Sequence, residues 1–125
     1  MKDGAAPGKI KSYEDLIAWQ KAMDFAEEIY KVTKSFPDTE RYGLVSQLRR
    51  AAVSIPSNLA EGQGRSSTGE FKLFIGHARG SLYEVQTQLR LASRFKYIPA
   101  SDCERLLRLS YEIGRIMHGL LGALD

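Results

Sequence analysis

The segment over residues 54–67, SIPSNLAEGQGRSS, gathers several residue types that can do chemistry. It places Pro56 inside a helical pattern, follows it with Asn58 and Glu61, and ends in glycine and serine. Three kinds of site fit this composition: a reactive site, a phosphate-binding loop, or a structural joint between two helices. A P-loop needs a Gly-Lys-Ser/Thr triplet four residues after its first glycine, and it follows a strand. Because these glycines follow a helical pattern, the phosphate-loop interpretation is weak.

We interpret this segment chiefly as a polar latch between two helices, with a ligand or nucleic-acid contact as the alternative. A carboxylate near a helix C-terminus opposes the helix dipole, at a cost of about 0.3–1 kcal/mol. Glu61 therefore needs a partner, and the candidates are Arg65 or the helical region around His77 and Ser81. The predicted latch residues are Pro56, Asn58, Glu61 and Gly80.

A positively charged stripe is the second feature with chemical potential. At about 100° per residue, seven residues of one helical segment share a narrow sector that contains no acid: Lys72, Gly76, Arg79, Tyr83, Gln86, Arg90 and Arg94. Cations combined with an aromatic ring and an amide are typical of surfaces that hold a sugar-phosphate backbone. The candidate nucleic-acid-binding residues are Arg49, Arg50, Arg65, Lys72, Arg79, Tyr83, Arg90 and Arg94. Self-association and an inert solvated face are the alternatives.

Catalytic and metal-binding patterns are not found in the sequence. Neither His77 nor His118 has a glutamate three positions before it, as carboxylate-bridged metal bundles require. Cys103 lies on an apolar helical seam, where a buried, inert thiol is expected rather than a nucleophile. We therefore predict a protein that is not an enzyme and that needs no cofactor and no metal.

Apolar residues recur with the three- and four-residue spacing of amphipathic helices in four segments. The first is predicted from Tyr13 to Phe36, with two apolar rows that form one broad buried face: Leu16, Trp19, Met23, Ala26, Tyr30 and Thr33, and Ala22, Phe25, Ile29, Val32 and Phe36. The second helix is predicted to end near Gly62, and its apolar residues are Leu44, Leu48, Ala52, Ile55 and Leu59. The third comprises Phe71, Ile75, Ala78, Leu82, Val85, Leu89 and Ala92. The fourth comprises Cys103, Leu106, Ser110, Ile113, Met117, Leu120 and Leu124.

Caps and breaks mark the helix ends. Pairs of the capping type occur at Ser12/Asp15, Ser67/Glu70 and Ser101/Glu104. Pro56 is expected to kink the second helix without ending it, with Ser54 and Ser57 satisfying the freed backbone groups. Two glycines on the third helix, Gly76 and Gly80, indicate the close approach of another helix, from the same subunit or a neighbouring one.

These segments predict an all-α fold, an up-down-up-down antiparallel four-helix bundle, because short connections make consecutive helices antiparallel neighbours. The bundle is expected over residues 12–125, after a flexible basic tail over residues 1–11. The single cysteine of the 125-residue chain favours a reducing cytoplasm, and no run is apolar enough to span a membrane. Residues 41–69 and 70–96 each carry a net charge of +3, which concentrates positive charge on the central helices.

Several blocks of the sequence resemble one bacterial family, the four-helix bundles known as 23S rRNA intervening-sequence proteins. The blocks are LIAWQKA (16–22), QLRRAA (47–52), SIPSNLAEG (54–62) and ARGSLYE (78–84), within a similarity over residues 12–124. The resemblance implies a homo-oligomer, a ring-like pentamer, and a relation to accessory proteins of diversity-generating retroelements that engage reverse transcriptase and nucleic acid. The resemblance also implies that residues matching the family's pattern have roles in the family. These are Arg49, Arg50, Asn58, Glu61, Gly80 and Glu84.

From these observations we predict a non-enzymatic, cytoplasmic, homo-oligomeric bundle that binds nucleic acid through a basic surface on the second and third helices. Structured RNA is favoured over DNA. The alternative is a protein-interaction scaffold or accessory subunit whose partner is another protein, for example a reverse transcriptase.

Overall fold

The computed structural model describes residues 10–125. Its four α-helices are α1 (Ile17–Thr33), α2 (Leu44–Gln63), α3 (Thr68–Arg94) and α4 (Ala100–Ala123), and short 3-10 turns at Tyr13–Asp15 and Asp38–Glu40 precede α1 and α2. No strand occurs in this described part of the chain, which confirms the all-α prediction. Most of the tail predicted over residues 1–11 lies outside the described residues. Ile10, which is described, packs partly buried against the core.

The helices form a ring in which each contacts the next, and α1 also contacts α4. Between α2 and α3 the contacts run in opposite directions along the chain. Ser54 bonds to Ser81, and further along α2 the backbone of Gly62 faces Phe74, which comes earlier in α3. This is the pattern of antiparallel neighbours joined by a short connection. The molecule is a four-helix bundle, as the periodicity predicted.

The core consists of the apolar rows that the helices direct into the ring. On α2, α3 and α4 it confirms the predicted positions except Leu44, Phe71 and Leu124, which are only partly buried. The buried residues from these rows are Leu48, Ala52, Ile55 and Leu59; Ile75, Ala78, Leu82, Val85, Leu89 and Ala92; and Cys103, Leu106, Ser110, Ile113, Met117 and Leu120. Full burial of one such aliphatic side chain contributes roughly 1.5–3 kcal/mol. Within residues 10–125, no helix combines the length and the apolar character that crossing a bilayer requires.

The first helix begins later than predicted, at Ile17 rather than Tyr13. The backbone is extended at Leu16, with φ −74° and ψ 122°, and this residue is fully buried. Ser12 and Asp15 do form the predicted capping box, but around the separate 3-10 turn that precedes Leu16. The sequence pattern missed this break because Leu16 fits the helical spacing of the residues that follow it.

The first helix also ends earlier than predicted, at Thr33 rather than Phe36. The Thr33 hydroxyl donates to the carbonyl of Ile29 at 2.7 Å. Phe36 nevertheless stays buried and packs against the ring of Tyr97, so the apolar row continues beyond the helix.

Helix α2 continues through Pro56, as predicted. The proline removes the donor that would pair with the carbonyl of Ala52. Ser54 donates its hydroxyl to the carbonyl of Ala51 at 2.8 Å, and Ser57 donates to the carbonyl of Val53 at 2.9 Å. The two hydroxyls therefore bind the carbonyls of Ala51 and Val53. The carbonyl between them, that of Ala52, receives neither.

Helix α2 ends at Gln63, one residue beyond the predicted end near Gly62, and Gly64 rather than Gly62 takes the C-cap position. A methyl group added at Gly62 would lie 2.6 Å from the Cβ of Phe74 and 3.1 Å from the ring of Phe71. Glycine is thus required here because α3 approaches α2 closely.

The capping prediction is correct for α3 and wrong for α4. The hydroxyl of Ser67 accepts from the backbone N–H of Glu70 at 3.1 Å and precedes the first residue of α3. Helix α4 instead begins at Ala100, directly after Pro99, with no side-chain cap. Ser101 therefore lies inside the first turn of the helix, because Pro99 occupies the N-cap position.

Lys96 ends α3 in the left-handed region, with φ 63°. The backbone N–H groups of Lys96 and Tyr97 donate to the carbonyls of Ser93 and Ala92, which is the Schellman arrangement usually built on glycine. The turn brings the Tyr97 hydroxyl to Glu40, to which it donates at 3.0 Å, and this bond raises the pKa of Tyr97.

Ion pairs join α1 to α4. Arg105 reaches Glu28 at 2.7 Å, and Lys21 reaches Glu112 at 3.3 Å. The hydrogen bond from Arg105, with a second one from Lys31, lowers the pKa of Glu28 below its ordinary value. The contact between α1 and α4 thus depends partly on half-buried charges, whereas α2 and α3 approach closely through Gly62.

Candidate nucleic-acid interface

The predicted basic stripe lies along the edge of α3 that borders α4. The Ser67 cap sets the start of α3, and the buried positions from Ile75 to Ala92 direct its apolar side into the core. Arg79, Tyr83 and Gln86 from the stripe line one wall of a groove between α3 and α4. The stripe is therefore one side of a concave site.

This α3–α4 groove has a volume of about 710 Å³. Its lining residues from α3 are Arg79, Leu82, Tyr83 and Gln86, and those from α4 are Tyr111, Gly114, Arg115 and His118. Within residues 10–125, no acid lines the groove. Sequence reasoning did not place three side chains of α4 in this candidate site, although residues 111, 115 and 118 have the four- and three-residue spacing of one helix face.

Four arginines on and beside the groove keep their charge uncompensated. Among the described residues, no carboxylate lies within 4.0 Å of Arg79, Arg90, Arg94 or Arg115. The guanidinium of Arg90 donates instead to neutral acceptors, the hydroxyl of Tyr111 at 2.6 Å and the carbonyl of Gln86 at 3.4 Å. An anion that enters the groove would therefore not compete with a bound carboxylate.

Two other candidate nucleic-acid-binding cations, Lys72 of the stripe and Arg65 before α3, already form ion pairs. Lys72 forms an ion pair with Asp125. Arg65 binds Glu61 at 2.6 Å, and its guanidinium lies 4.8 Å from the ring centre of Phe74. Neither residue lines the groove.

The two predicted arginines of α2 lie outside the α3–α4 groove. Arg49 turns towards α1, where its guanidinium donates to Thr33 at 2.9 Å and lies 4.5 Å from the ring centre of Tyr30. Arg50 lines a smaller cavity on the α2–α3 side, together with Glu84. The α3–α4 groove therefore takes its arginines from α3 and α4, and the predicted arginines of α2 are not among its lining residues.

The predicted latch residues make local contacts. Asn58 donates to the carbonyl of Ser54 within α2 at 2.7 Å, and Glu61 pairs with Arg65, one of its two candidate partners. In the described part of the chain, two hydrogen bonds join α2 to α3, one from Ser54 to Ser81 at 2.5 Å and one from Gln88 to Gln47 at 3.4 Å. The sequence analysis expected the region around Ser81 to contact Glu61, whereas Ser81 binds Ser54.

The glycines of α3 have no close neighbour within the subunit. A methyl group at Gly76 or Gly80 would meet no heavy atom of another described segment within 4 Å. The prediction that a helix of the same chain approaches these two glycines closely is therefore wrong. The other part of the prediction, a helix from a neighbouring subunit, stays a prediction.

A second groove of about 710 Å³ lies between α1 and α2, and its lining is largely apolar. Its walls are Tyr13, Trp19, Met23, Ala26, Glu27, Tyr30, Lys31, Val53, Pro56, Ser57 and Ala60. Met23 and Tyr30 are exposed, so the prediction that the whole first row of α1 is buried is wrong. We call this the α1–α2 groove.

No cluster of metal-ligating side chains occurs in the part of the chain that the structure describes. Cys103 is buried, as predicted, and its thiol contacts the carbonyl of Leu89 at 3.6 Å. His77 is exposed beside the ring of Phe74, and His118 is exposed in the α3–α4 groove.

Comparison with known proteins adds a family. The model of the family described as 23S rRNA-intervening sequence protein matches residues 14–119. A crystal structure from Bacteroides thetaiotaomicron VPI-5482, of a protein with unknown function from the S23 ribosomal protein family, is similar with a TM-score of 0.75. Its sequence is 23% identical, and the similarity covers 83% of this chain and 97% of that one, which supports the fold. Among curated proteins, none matches the chain significantly.

Proposed function

Because the chain belongs to the family of 23S rRNA-intervening sequence proteins, we propose that it is a non-enzymatic protein that binds structured RNA through the α3–α4 groove. The observation that carries the proposal is the set of four arginines that have no carboxylate partner within residues 10–125, beside two exposed tyrosines. The family favours RNA over DNA as the polyanion.

The energetic basis is counterion release. Each phosphate that an arginine neutralises releases condensed cations, so affinity falls steeply as salt rises. Arginine is suited to this role because its planar guanidinium binds phosphate oxygens in pairs and stays charged at all physiological pH values. An acid in the groove would offset this gain, and the described part of the chain places none there.

The test is the binding of a folded RNA hairpin, followed by fluorescence anisotropy across a salt series. With about four phosphate contacts, affinity should fall roughly 100-fold between about 50 and 200 mM salt. A DNA hairpin of the same sequence should bind more weakly. Affinity that is absent, or unchanged across the salt series, contradicts the proposal.

We propose further that the chain is a homo-oligomer, with a pentamer as the expected state. One outer face of α3 supports this: Leu73, Gly80 and Leu91 recur there at helical spacing, and all three are exposed. Leu73, which is 57% exposed, and the open space beside Gly80 suit the docking of a second copy. This face lies beside the α3–α4 groove rather than within it.

The oligomer is tested by light scattering on Leu73→Glu, with Tyr42→Ala as the matched control. Tyr42 is also exposed but lies before α2. Loss of the assembly only in Leu73→Glu supports this face as the interface. A wild-type protein that stays monomeric at high concentration contradicts the assembly altogether.

A second candidate function rests on the α1–α2 groove. Exposed apolar side chains such as Met23, Tyr30 and Val53 are typical of protein-binding surfaces. We propose, as this alternative, an accessory subunit that docks another protein there, a reverse transcriptase being the partner that the sequence resemblance implies. Val53→Glu should then abolish capture of a purified reverse transcriptase, whereas Arg79→Glu should not. Equal capture by both variants contradicts this docking site.

A further inference from the structure

The aromatic side chains of the α3–α4 groove are not explained by phosphate binding alone. Tyr83 on α3 and Tyr111 on α4 line opposite walls, and they are 56% and 40% exposed. A ring that stays exposed does not contribute the hydrophobic stabilisation that its burial would give. In the proposed function the arginines bind the phosphates, which leaves the rings free for a planar, apolar group.

Tyr111 is held in position by a cation. Its hydroxyl oxygen accepts from the guanidinium of Arg90 at 2.6 Å, and Arg90 is also bound to the carbonyl of Gln86 at 3.4 Å. A tyrosine hydroxyl that accepts one hydrogen bond still has its own proton to donate. The ring therefore lies ready for stacking, with a donor at its tip.

Gln86 is oriented in a similar way. Its amide nitrogen donates to the hydroxyl of Ser110 at 3.0 Å, and Ser110 donates in turn to the carbonyl of Leu107 at 2.7 Å. Among the described residues, no side chain or backbone group donates to the Gln86 amide oxygen. That oxygen is an acceptor for the N–H edge of a nucleobase.

Rings, a fixed amide and cations together describe a site for unpaired nucleotides. Bases inside a duplex are already stacked on each other and present no open ring face, whereas unpaired bases stack on aromatic side chains. Arg79 and Arg115 stand in the same groove for the adjoining phosphates. The volume of about 710 Å³ is within the range of about 300–1,000 Å³ of ligand clefts.

Resting on the proposed RNA binding, we infer that the α3–α4 groove takes unpaired nucleotides of the RNA, as in a loop or a single-stranded end, with a base stacked on Tyr83 or Tyr111. Base-paired helices then contribute phosphate contacts only. The groove thereby distinguishes RNA segments by pairing state.

The test compares a single-stranded RNA with a blunt RNA duplex of equal length, both labelled with fluorescein, by anisotropy. Tyr83→Ala should lower affinity for the single strand about 5- to 150-fold, the usual effect of losing one stacking ring. The same variant should leave duplex affinity within about twofold, and Tyr83→Phe should retain single-strand affinity because it keeps the ring. Tyr42→Ala, at a tyrosine that is 90% exposed and outside the groove, is the control.

A direct readout is photo-crosslinking with RNA that carries 5-bromouridine, followed by mass spectrometry. A crosslink at Tyr83 or Tyr111 in the single-stranded probe supports stacking in the groove. Equal affinity for both probes, unaffected by Tyr83→Ala, overturns the inference while RNA binding itself stands. If neither probe binds, both the inference and the proposed function are wrong.

Discussion

The two grooves of this bundle have the same volume, about 710 Å³, and opposite chemistry. The α1–α2 groove carries aliphatic and aromatic walls, with Glu27 and Lys31 as its charged members. Among the described residues, the α3–α4 groove carries two arginines, a histidine and no acid. A cavity of a given size thus takes its function from its walls, and here one fold presents an apolar surface and a cationic surface on different helix pairs.

The contacts of individual cations follow the same division. Arg49, beside the α1–α2 groove, is bound by Thr33 and Tyr30 and serves packing. Arg90, beside the α3–α4 groove, is held by neutral acceptors and keeps its charge available. The two arginines are the same residue type in the sequence but make different contacts. The helix that lies next to each of them determines which contacts it makes.

The largest expected effect comes from reversing charge in the α3–α4 groove. Arg79→Glu combined with Arg115→Glu replaces two uncompensated cations by acids, so RNA is repelled where it was attracted. Affinity for the RNA hairpin should fall at least about 100-fold, and the slope of log affinity against log salt should become shallower. Anisotropy titrations at several salt concentrations measure both quantities.

Two matched controls determine whether the comparison between the grooves holds. Arg50→Glu changes the net charge in the same direction outside the α3–α4 groove, and Val53→Glu places an acid in the α1–α2 groove. Each should change affinity by much less than the double variant. A loss of similar size in either control would mean that RNA binding follows net charge or the other groove.

The next effect is on stability, at the contact between α2 and α3 that separates the two grooves. Gly62→Ala inserts a methyl group 2.6 Å from the Cβ of Phe74, and overpacking of this kind costs about 1–3 kcal/mol. Gly76→Ala, on the same helix pair but with open space around it, should instead stabilise by up to about 1 kcal/mol.

Urea unfolding of both variants gives the two free energies. A destabilised Gly76→Ala together with a smaller oligomer would show that a second copy covers Gly76. An unchanged Gly62→Ala would contradict the close approach of α2 and α3.

The smallest effect is expected at the contact between α1 and α4, on the other side of the bundle. Arg105→Gln removes the hydrogen bond that most lowers the pKa of Glu28. A lowered folded-state pKa stabilises the protein above the unfolded pKa, and this contribution is lost as the pH falls. The variant should therefore lose about 0.2–1 kcal/mol at neutral pH, typical of exposed pairs.

Below the ordinary pKa of 4.5, the difference between Arg105→Gln and the wild type should shrink as Glu28 becomes protonated. Urea unfolding at neutral pH and at a pH well below that value measures the difference. A difference that stays constant, or grows with acidity, would contradict the role of the Glu28 carboxylate.

The sequence predicted most of the bundle because helical periodicity reports burial one helix at a time. The buried rows of α3 and α4 are correct residue by residue, from Ile75 to Ala92 and from Cys103 to Leu120. The same method failed at Met23 and Tyr30, which fit the period but are exposed because α2 leaves a groove beside them.

The candidate site could be predicted only in part, since a groove is a property of two helices. Arg79, Tyr83 and Gln86 were found from their shared sector on α3. Tyr111, Arg115 and His118 were missed because nothing in the period of α4 says which neighbour that face meets. Gly62 was read as a helix end because a terminating glycine and a close-contact glycine look alike in sequence.

Trp19, the single tryptophan of the chain, lies in the wall of the α1–α2 groove and in edge contact with the ring of Tyr13 at 5.2 Å. Its indole is thus an intrinsic optical probe of that groove alone. Excitation selective for indole would report by a spectral shift when a protein partner covers the apolar walls. Polynucleotide bound on the opposite helix pair would leave the emission unchanged, so unlabelled material suffices to tell which groove is occupied.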